Sequence, residues 1–228
     1  MREARPIPTG NAVLDTLLDG GIPPGSLILV EGEEGAGGTE FALSLLRGIA
    51  KAQTGIPVRF ATALRAPERV EREAALLFKN EKEASLIEYR VIRPEYPGAG
   101  FRGVLEGLSR GGILVLETAS ALHRWMPGGG LVGALQALGD AACAEGVTIL
   151  LLHHRGTLPG ELEACLAEAC DGLLSFGWRE ATTSRRRVLR IQKLRGLPGI
   201  LDGDQAPILE VALRRGTGFT LSSVKSVV

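Results

Sequence analysis

Ser26 to Thr39 reads S-L-I-L-V-E-G-E-E-G-A-G-G-T. The apolar, β-branched run Ser26–Val30 predicts a buried strand. Phe41, Ala42, Leu45, Leu46 and Ile49 then recur at helical spacing. Between them, Gly32–Thr39 follows the phosphate-loop pattern G-x-x-x-x-G-K-[ST], except that Gly38 stands where the pattern has lysine. In such a loop backbone amides cradle phosphate, the lysine reaches the outer phosphates and the hydroxyl holds Mg²⁺. The helix that follows presents free amides and a positive dipole end to an anion. Strand, glycine-rich turn and helix are the context the pattern requires, so the departure at Gly38 is the question the chain poses.

The same alternation continues outward from the loop. Strands are predicted at Val58–Ala63, Ile87–Ile92, Ile113–Leu116, Val147–Leu152 and Gly172–Phe176. Helices are predicted at Pro67–Phe78, Phe101–Ser109, Leu131–Cys143 and Glu161–Ala169, the first opened by proline. Pro94–Gly100 and Gly128–Gly130 read as loops. Continuous apolar strands alternating with helices imply a mainly parallel sheet covered on both faces. The C-terminal part differs: Arg187–Lys193, Ile208–Leu213 and Phe219–Val224 read as strands of an antiparallel extension, with Arg185-Arg186-Arg187 in a solvated turn. One α/β unit over 1–228 is expected, with an entry segment 1–25, a phosphate-loop core 26–177 and an extension 178–228.

With 228 residues, 45% apolar and 23% charged, the chain has ordinary globular usage. Its formal net charge of zero gives no support to a strongly basic nucleic-acid binder or a polybasic membrane binder. No apolar run is long enough for a membrane span and no leader pattern is seen, so a cytoplasmic location is expected. Cys143, Cys165 and Cys170 lie in apolar helical stretches and read as buried free thiols.

Ligands of open α/β sheets sit at the carboxyl ends of strands. Those ends carry the loop, Leu64-Arg65, Glu117 and His153-His154. With Pro8-Thr9-Gly10, Leu14-Asp15, Leu18 and Gly20-Gly21-Ile22-Pro23-Pro24-Gly25, they resemble the KaiC-like branch of the RecA/RadA superfamily of P-loop ATPases. Glu117 ends a strand similar to the Walker B strand, where Asp is usual. His154 ends one similar to the sensor strand, and Asp171-Gly172 also fits. Lys193-Leu194-Arg195-Gly196 resembles the K-x-R-G finger that reaches a neighbouring subunit's γ-phosphate. The resemblance implies a RecA-like three-layer α/β/α fold and Mg·ATP as ligand. Gly32, Glu33, Gly35, Ala36, Gly37, Gly38 and Thr39 would hold nucleotide, with Arg65 a candidate replacement cation near the γ-phosphate. Thr39 and Glu117 would serve Mg²⁺, Glu117 and His154 would be the catalytic candidates, and Lys193 and Arg195 would act in trans.

The departures fall on the chemistry. Ala66-Pro67-Glu68 aligns with the family's S-P-E, so Leu64-Arg65 occupies the positions of its paired glutamates. Neither residue can take a proton from water. A charge-assisted hydrogen bond contributes roughly 1.5–3 kcal/mol, so loss of the loop lysine weakens nucleotide binding by about 10- to 150-fold. Loss of a general base costs turnover a further factor of roughly 10²–10⁴. The reading is a degenerate member: a non-hydrolysing or very slow pseudo-ATPase with weak or no ATP binding and a regulatory or scaffolding role. Its partner would be itself, as a hexamer or filament-like homo-oligomer, or a related family member. An active ATPase with a displaced cation is the first alternative, and a RadA-like DNA recombination accessory protein the second. DNA is disfavoured because Thr157–Asp171 holds Glu161, Glu163 and Glu168 and no Lys or Arg. His123-Arg124-Trp125 is a small counter-signal, as an aromatic beside arginine can stack on bases.

Overall fold

The computed structural model describes residues 5–52, 55–92, 102–108, 111–126, 130–181, 184–195 and 208–223. The expected loop Pro94–Gly100, Gly196 of the finger motif and the expected strand end at Val224 lie outside them.

The chain runs α1 (Ala12–Leu17), β1 (Leu27–Gly32), α2 (Gly38–Ala52), β2 (Val58–Thr62), α3 (Pro67–Phe78), α4 (Glu81–Ala84) and β3 (Glu88–Val91). A 3₁₀ turn at Arg102–Leu105 follows, then β4 (Ile113–Glu117), α5 (Ala119–His123), α6 (Gly130–Glu145), β5 (Thr148–His154) and α7 (Gly160–Ala169). The chain closes with β6 (Gly172–Ala181), β7 (Ser184–Leu194), β8 (Ile208–Arg214) and β9 (Gly218–Ser223). The strands form one sheet in the order β3-β2-β4-β5-β1-β6-β7-β8-β9. β3 through β6 of that order are parallel, and β6-β7-β8-β9 are antiparallel. This is the expected three-layer α/β/α arrangement with an antiparallel extension.

Two apolar layers flank the sheet. Ile28, Val30, Phe60, Val115, Leu150 and Leu152 pack against α1, α2 and α3, while Leu27, Leu29, Leu114, Leu116, Ile149 and Leu151 face α5, α6 and α7. The alternation along each strand sends successive side chains to opposite cores. Full burial of each such side chain stabilises the fold by roughly 1.5–3 kcal/mol.

The entry segment is fixed by its own polar contacts. Asp15 accepts hydrogen bonds from the Thr9 amide (2.6 Å) and hydroxyl (2.7 Å), and Asn11 caps α1 through the amides of Val13 and Leu14. Ile7 pairs with Ile22 in a two-way bridge. Gly21 makes that bridge possible: its φ is +138° and a Cβ there would lie 2.1 Å from the Ile7 carbonyl oxygen.

Several expectations change. The Arg185–Arg187 segment is not a turn but the start of β7, paired with β6 residues Trp178 to Glu180. Among the described residues 102–108 of the expected helix Phe101–Ser109, only Arg102–Leu105 is helical, as a 3₁₀ turn. Cys143 and Cys165 are exposed on the outer faces of α6 and α7, and only Cys170 is buried. Apolar neighbours in sequence placed the cysteines on helices without saying which face they take. β6 passes through residue 178, where the extension was expected to begin, so the extension grows directly out of a core strand. It is anchored on α2 by Phe41, Phe176 and Phe219, whose ring centroids lie 5.0–5.9 Å apart. Arg47 adds hydrogen bonds to the carbonyls of Gly216 and Thr217.

Candidate functional site

A cleft of about 420 Å³ opens at the carboxyl ends of β1 and β5. Gly32, Glu33, Gly35, Gly37, Gly38, Thr39, Arg65 and His154 all line it, together with Glu40, Glu73 and a leucine wall that includes Leu43, Leu76 and Leu77. The structure thus brings together the loop residues, Arg65 and His154, which are far apart in sequence. Ala36 is buried behind the loop.

The loop's shape is set by its glycines and by contacts from the extension. Gly35 and Gly37 take positive φ (+71° and +106°), which lets the chain turn tightly before α2 begins at Gly38. Its outer carbonyls are held from the extension: Trp178 Nε1 donates to the Glu34 oxygen (3.4 Å) and Arg187 Nε to the Gly35 oxygen (3.0 Å). The guanidinium carbons of Arg185 and Arg187 each lie 4.6 Å from the Trp178 ring centroid. No loop pattern signals Trp178 or Arg187; only the pairing of Trp178 with Arg187 across β6 and β7 reveals them.

Glu117 ends β4 but does not line the cleft. Its carboxylate is covered by Arg65, which donates from Nε to Oε2 (3.0 Å) and from Nη2 to Oε1 (2.8 Å). The Glu117 side chain is 3% exposed and that of Arg65 20%. Glu73 on α3 grips the remaining Arg65 amino group. Burial alone would lower the Arg65 pKa, but the hydrogen bonds and charges of Glu117 and Glu73 hold it above its ordinary value. The turn carrying Arg65 is also fixed, since Thr62 Oγ1 accepts from the amides of Leu64 and Arg65. Removing one partner of a buried ion pair typically costs about 3–5 kcal/mol, because the other charge is left unpaired. Leu64 is exposed.

The two histidines diverge. Both line the cleft, but His153 is buried and donates from Nε2 to Glu163 Oε1 (2.9 Å) on α7. Glu163 also accepts from the amides of Gly156 and Leu158. Burial pushes its carboxyl up, but His153 and those amides outweigh this and hold it below its usual range.

Lys193 and Arg195 lie elsewhere. Lys193 pairs with Leu173, and its Nζ donates to the carbonyls of Ala167, Glu168 and Cys170, closing the end of α7. Arg195 bonds Asp171, whose other oxygen accepts from the Leu27 amide. Leu194 is level with Gly172 and Ile28, four strand residues before Gly32, which is about 13 Å along the strand. Neither residue reaches the cleft of its own chain.

The residues fit a phosphate only in part. Backbone cradle, helix N-terminus and Thr39 are retained. Around them stand Glu33, Glu40 and Glu73, with Arg65 the sole Lys or Arg on the described lining and already paired. Among the described residues no three His, Cys, Asp or Glu side chains converge to hold a metal ion. Of the two residues expected to serve Mg²⁺, Thr39 lines the cleft, while the Glu117 carboxylate is covered by Arg65.

Sheet order, phosphate loop and flanking helices define a RecA-like P-loop fold of the KaiC-like type. The KaiC-like protein PH0186 of Pyrococcus horikoshii OT3 superposes with a TM-score of 0.75 at 19% identity, over 96% of this chain and 99% of that one. The flagellar accessory protein FlaH of Methanocaldococcus jannaschii gives 0.73 at 18% identity, over 95% and 97%. By sequence the chain belongs to the family of unknown function DUF7125, whose model matches residues 6–202. No curated protein matches it. No helix among the described residues is long and apolar enough to cross a membrane.

Proposed function

We propose that this protein is a pseudo-ATPase of the KaiC-like fold, a regulatory or scaffolding component that binds ATP weakly or not at all and does not turn it over at a useful rate. The observation that carries this reading is the cleft's charge. A backbone cradle built for phosphate is lined by Glu33, Glu40 and Glu73, the one Lys or Arg on the described lining, Arg65, is already spent on Glu117 and Glu73, and Arg185, off that lining, faces Glu33 at 3.7 Å. A triphosphate entering this cleft meets repulsion where its charge needs stabilising. The displaced-cation ATPase is disfavoured for the same reason: Arg65 would have to leave two carboxylates to serve a phosphate. Self-association is the output this reading expects, and Lys193 and Arg195 can approach a cleft only in a neighbouring copy. A cytoplasmic location and the absence of DNA binding belong to the same proposal.

Calorimetry of the wild-type protein with ATP and Mg²⁺, beside a phosphate-release assay and sedimentation velocity, tests it. Weak or absent binding, negligible release and a self-associated species are expected. Brisk Mg²⁺-dependent hydrolysis would overturn the reading.

A further inference from the structure

We propose that Arg65 is the resident cation of this site: its guanidinium takes the place against Glu117 that a hydrated divalent ion would fill, so the cleft is charge-balanced without metal or nucleotide. The proposal rests on the pseudo-ATPase reading and names how that state is held.

Three features converge on it. A buried carboxylate is tolerated only with a counter-charge and satisfied oxygens, and Arg65 supplies both by bonding each Glu117 oxygen once. A second carboxylate, Glu73, comes from α3 to the same guanidinium, so two acids from different elements share one cation, as ligands share a metal. The arrangement is also built from behind: Thr62 fixes the turn that aims Arg65, and the Ala63 amide bonds the Glu117 carbonyl at 2.7 Å. Because Arg65 borders the cleft and Glu117 does not, the guanidinium stands between the carboxylate and anything entering. A guanidinium carries its charge at every physiological pH and cannot dissociate. A metal would leave with nucleotide, whereas this cation is covalently part of the chain. The site is thereby held in one electrostatic state.

If Arg65 substitutes for a metal, removing it should create a metal site. Mn²⁺ alone is the probe, followed by its electron paramagnetic resonance signal and by thermal unfolding. Wild type should bind Mn²⁺ no better than its general surface does. Arg65→Ala should gain one site at least about tenfold tighter, and at roughly ten times its dissociation constant Mn²⁺ should raise the variant's Tm by about 3–5 °C. The gain should vanish in Arg65→Ala/Glu117→Gln, where neither charge remains. If Arg65→Ala folds poorly, Arg65→Gln keeps part of the side chain's length and one donor group while removing the charge, and the same gain is expected. Tight Mn²⁺ binding by wild type, or folded Arg65 variants that gain none, would overturn the proposal. The two readings separate cleanly. ATP turnover by a wild type that binds no free Mn²⁺, with the gain still seen in the variants, removes the pseudo-ATPase reading and leaves this one. An inert wild type that binds Mn²⁺ as well as the variants does the reverse.

Discussion

Gly38→Lys restores the residue that the phosphate-loop pattern specifies, and the geometry says the fold will accept it. Gly38 opens α2 with no positive φ, and a Cβ there would meet Val30 Cγ1 at 3.8 Å and Phe176 Cδ2 at 4.0 Å, ordinary contact distances. Replacing glycine narrows the unfolded ensemble by roughly 0.4–1 kcal/mol, and a cation at a helix N-terminus costs about 0.3–1 kcal/mol. The two nearly cancel, so the midpoint of urea unfolding should hardly move. A lysine ammonium on the outer phosphates contributes roughly 1.5–3 kcal/mol, which is about 10- to 150-fold in affinity. Glu33, Glu40 and Glu73 compete for the new charge, so the lower half of that range is expected. Calorimetry with ATP and Mg²⁺ on both proteins measures it. Phosphate release should stay at background, since Leu64 offers no base and Arg65 still covers Glu117. A folded Gly38→Lys protein with unchanged affinity would refute the idea that the loop is a phosphate cradle short of one cation. Restored hydrolysis would refute the claim that Leu64-Arg65 is a second block.

Lys193→Met should lower stability by about 1–3 kcal/mol, because three carbonyls at the end of α7 lose their shared donor; a Tm drop of roughly 3–10 °C by circular dichroism is expected, and none would mean the cap contributes nothing. Glu163 has a folded pKa below its unfolded value of 4.5, so its contribution is complete above that pH and is lost as pH falls through the lower, folded value. Glu163→Gln should accordingly be less stable than wild type at neutral pH and should lose part of wild type's decline in acid, measured as urea midpoints against pH; parallel profiles would refute the pairing with His153. Native protein should react with a thiol reagent at Cys143 and Cys165 only, since burial pushes the Cys170 thiol up to about 12; three thiols labelled without denaturant would contradict the packing of α7.

What the sequence made legible was the scaffold. Strand runs such as Ile113–Leu116 and the helical spacing after Thr39 are local signals, and burial on both faces of a parallel sheet makes them nearly continuous in apolar residues. The entry segment was legible for a similar reason: Gly21 and Asp15 answer to backbone geometry, which leaves few alternatives. Partnerships across the fold were not legible. Arg65 and Glu117 are 52 positions apart, and which way the guanidinium turns depends on Glu73, a residue that in sequence is one more acid on a mixed-charge helix. A motif can say that a strand end faces the phosphate cleft. It cannot say whether a cation there is offered to the ligand or bound by neighbouring acids.

Lys193 makes the same argument from the other side. Its motif speaks of a phosphate in another subunit, yet within the chain it closes the end of α7 through three carbonyls. An ammonium with three donors, all engaged, has nothing left to extend to a neighbour without giving up that cap. If Lys193 is to act in trans, assembly must therefore loosen α7, and the Lys193→Met measurement then reads more than stability. A purely structural lysine lowers Tm and leaves the sedimentation profile at matched, fully folded temperature unchanged. A lysine shared with a neighbour changes both. Arg195, whose side-chain contacts among the described residues are exposed ones to Asp171 and the Glu168 carbonyl, moves at less cost, so Arg195→Ala should shift association more than stability if the motif operates between copies.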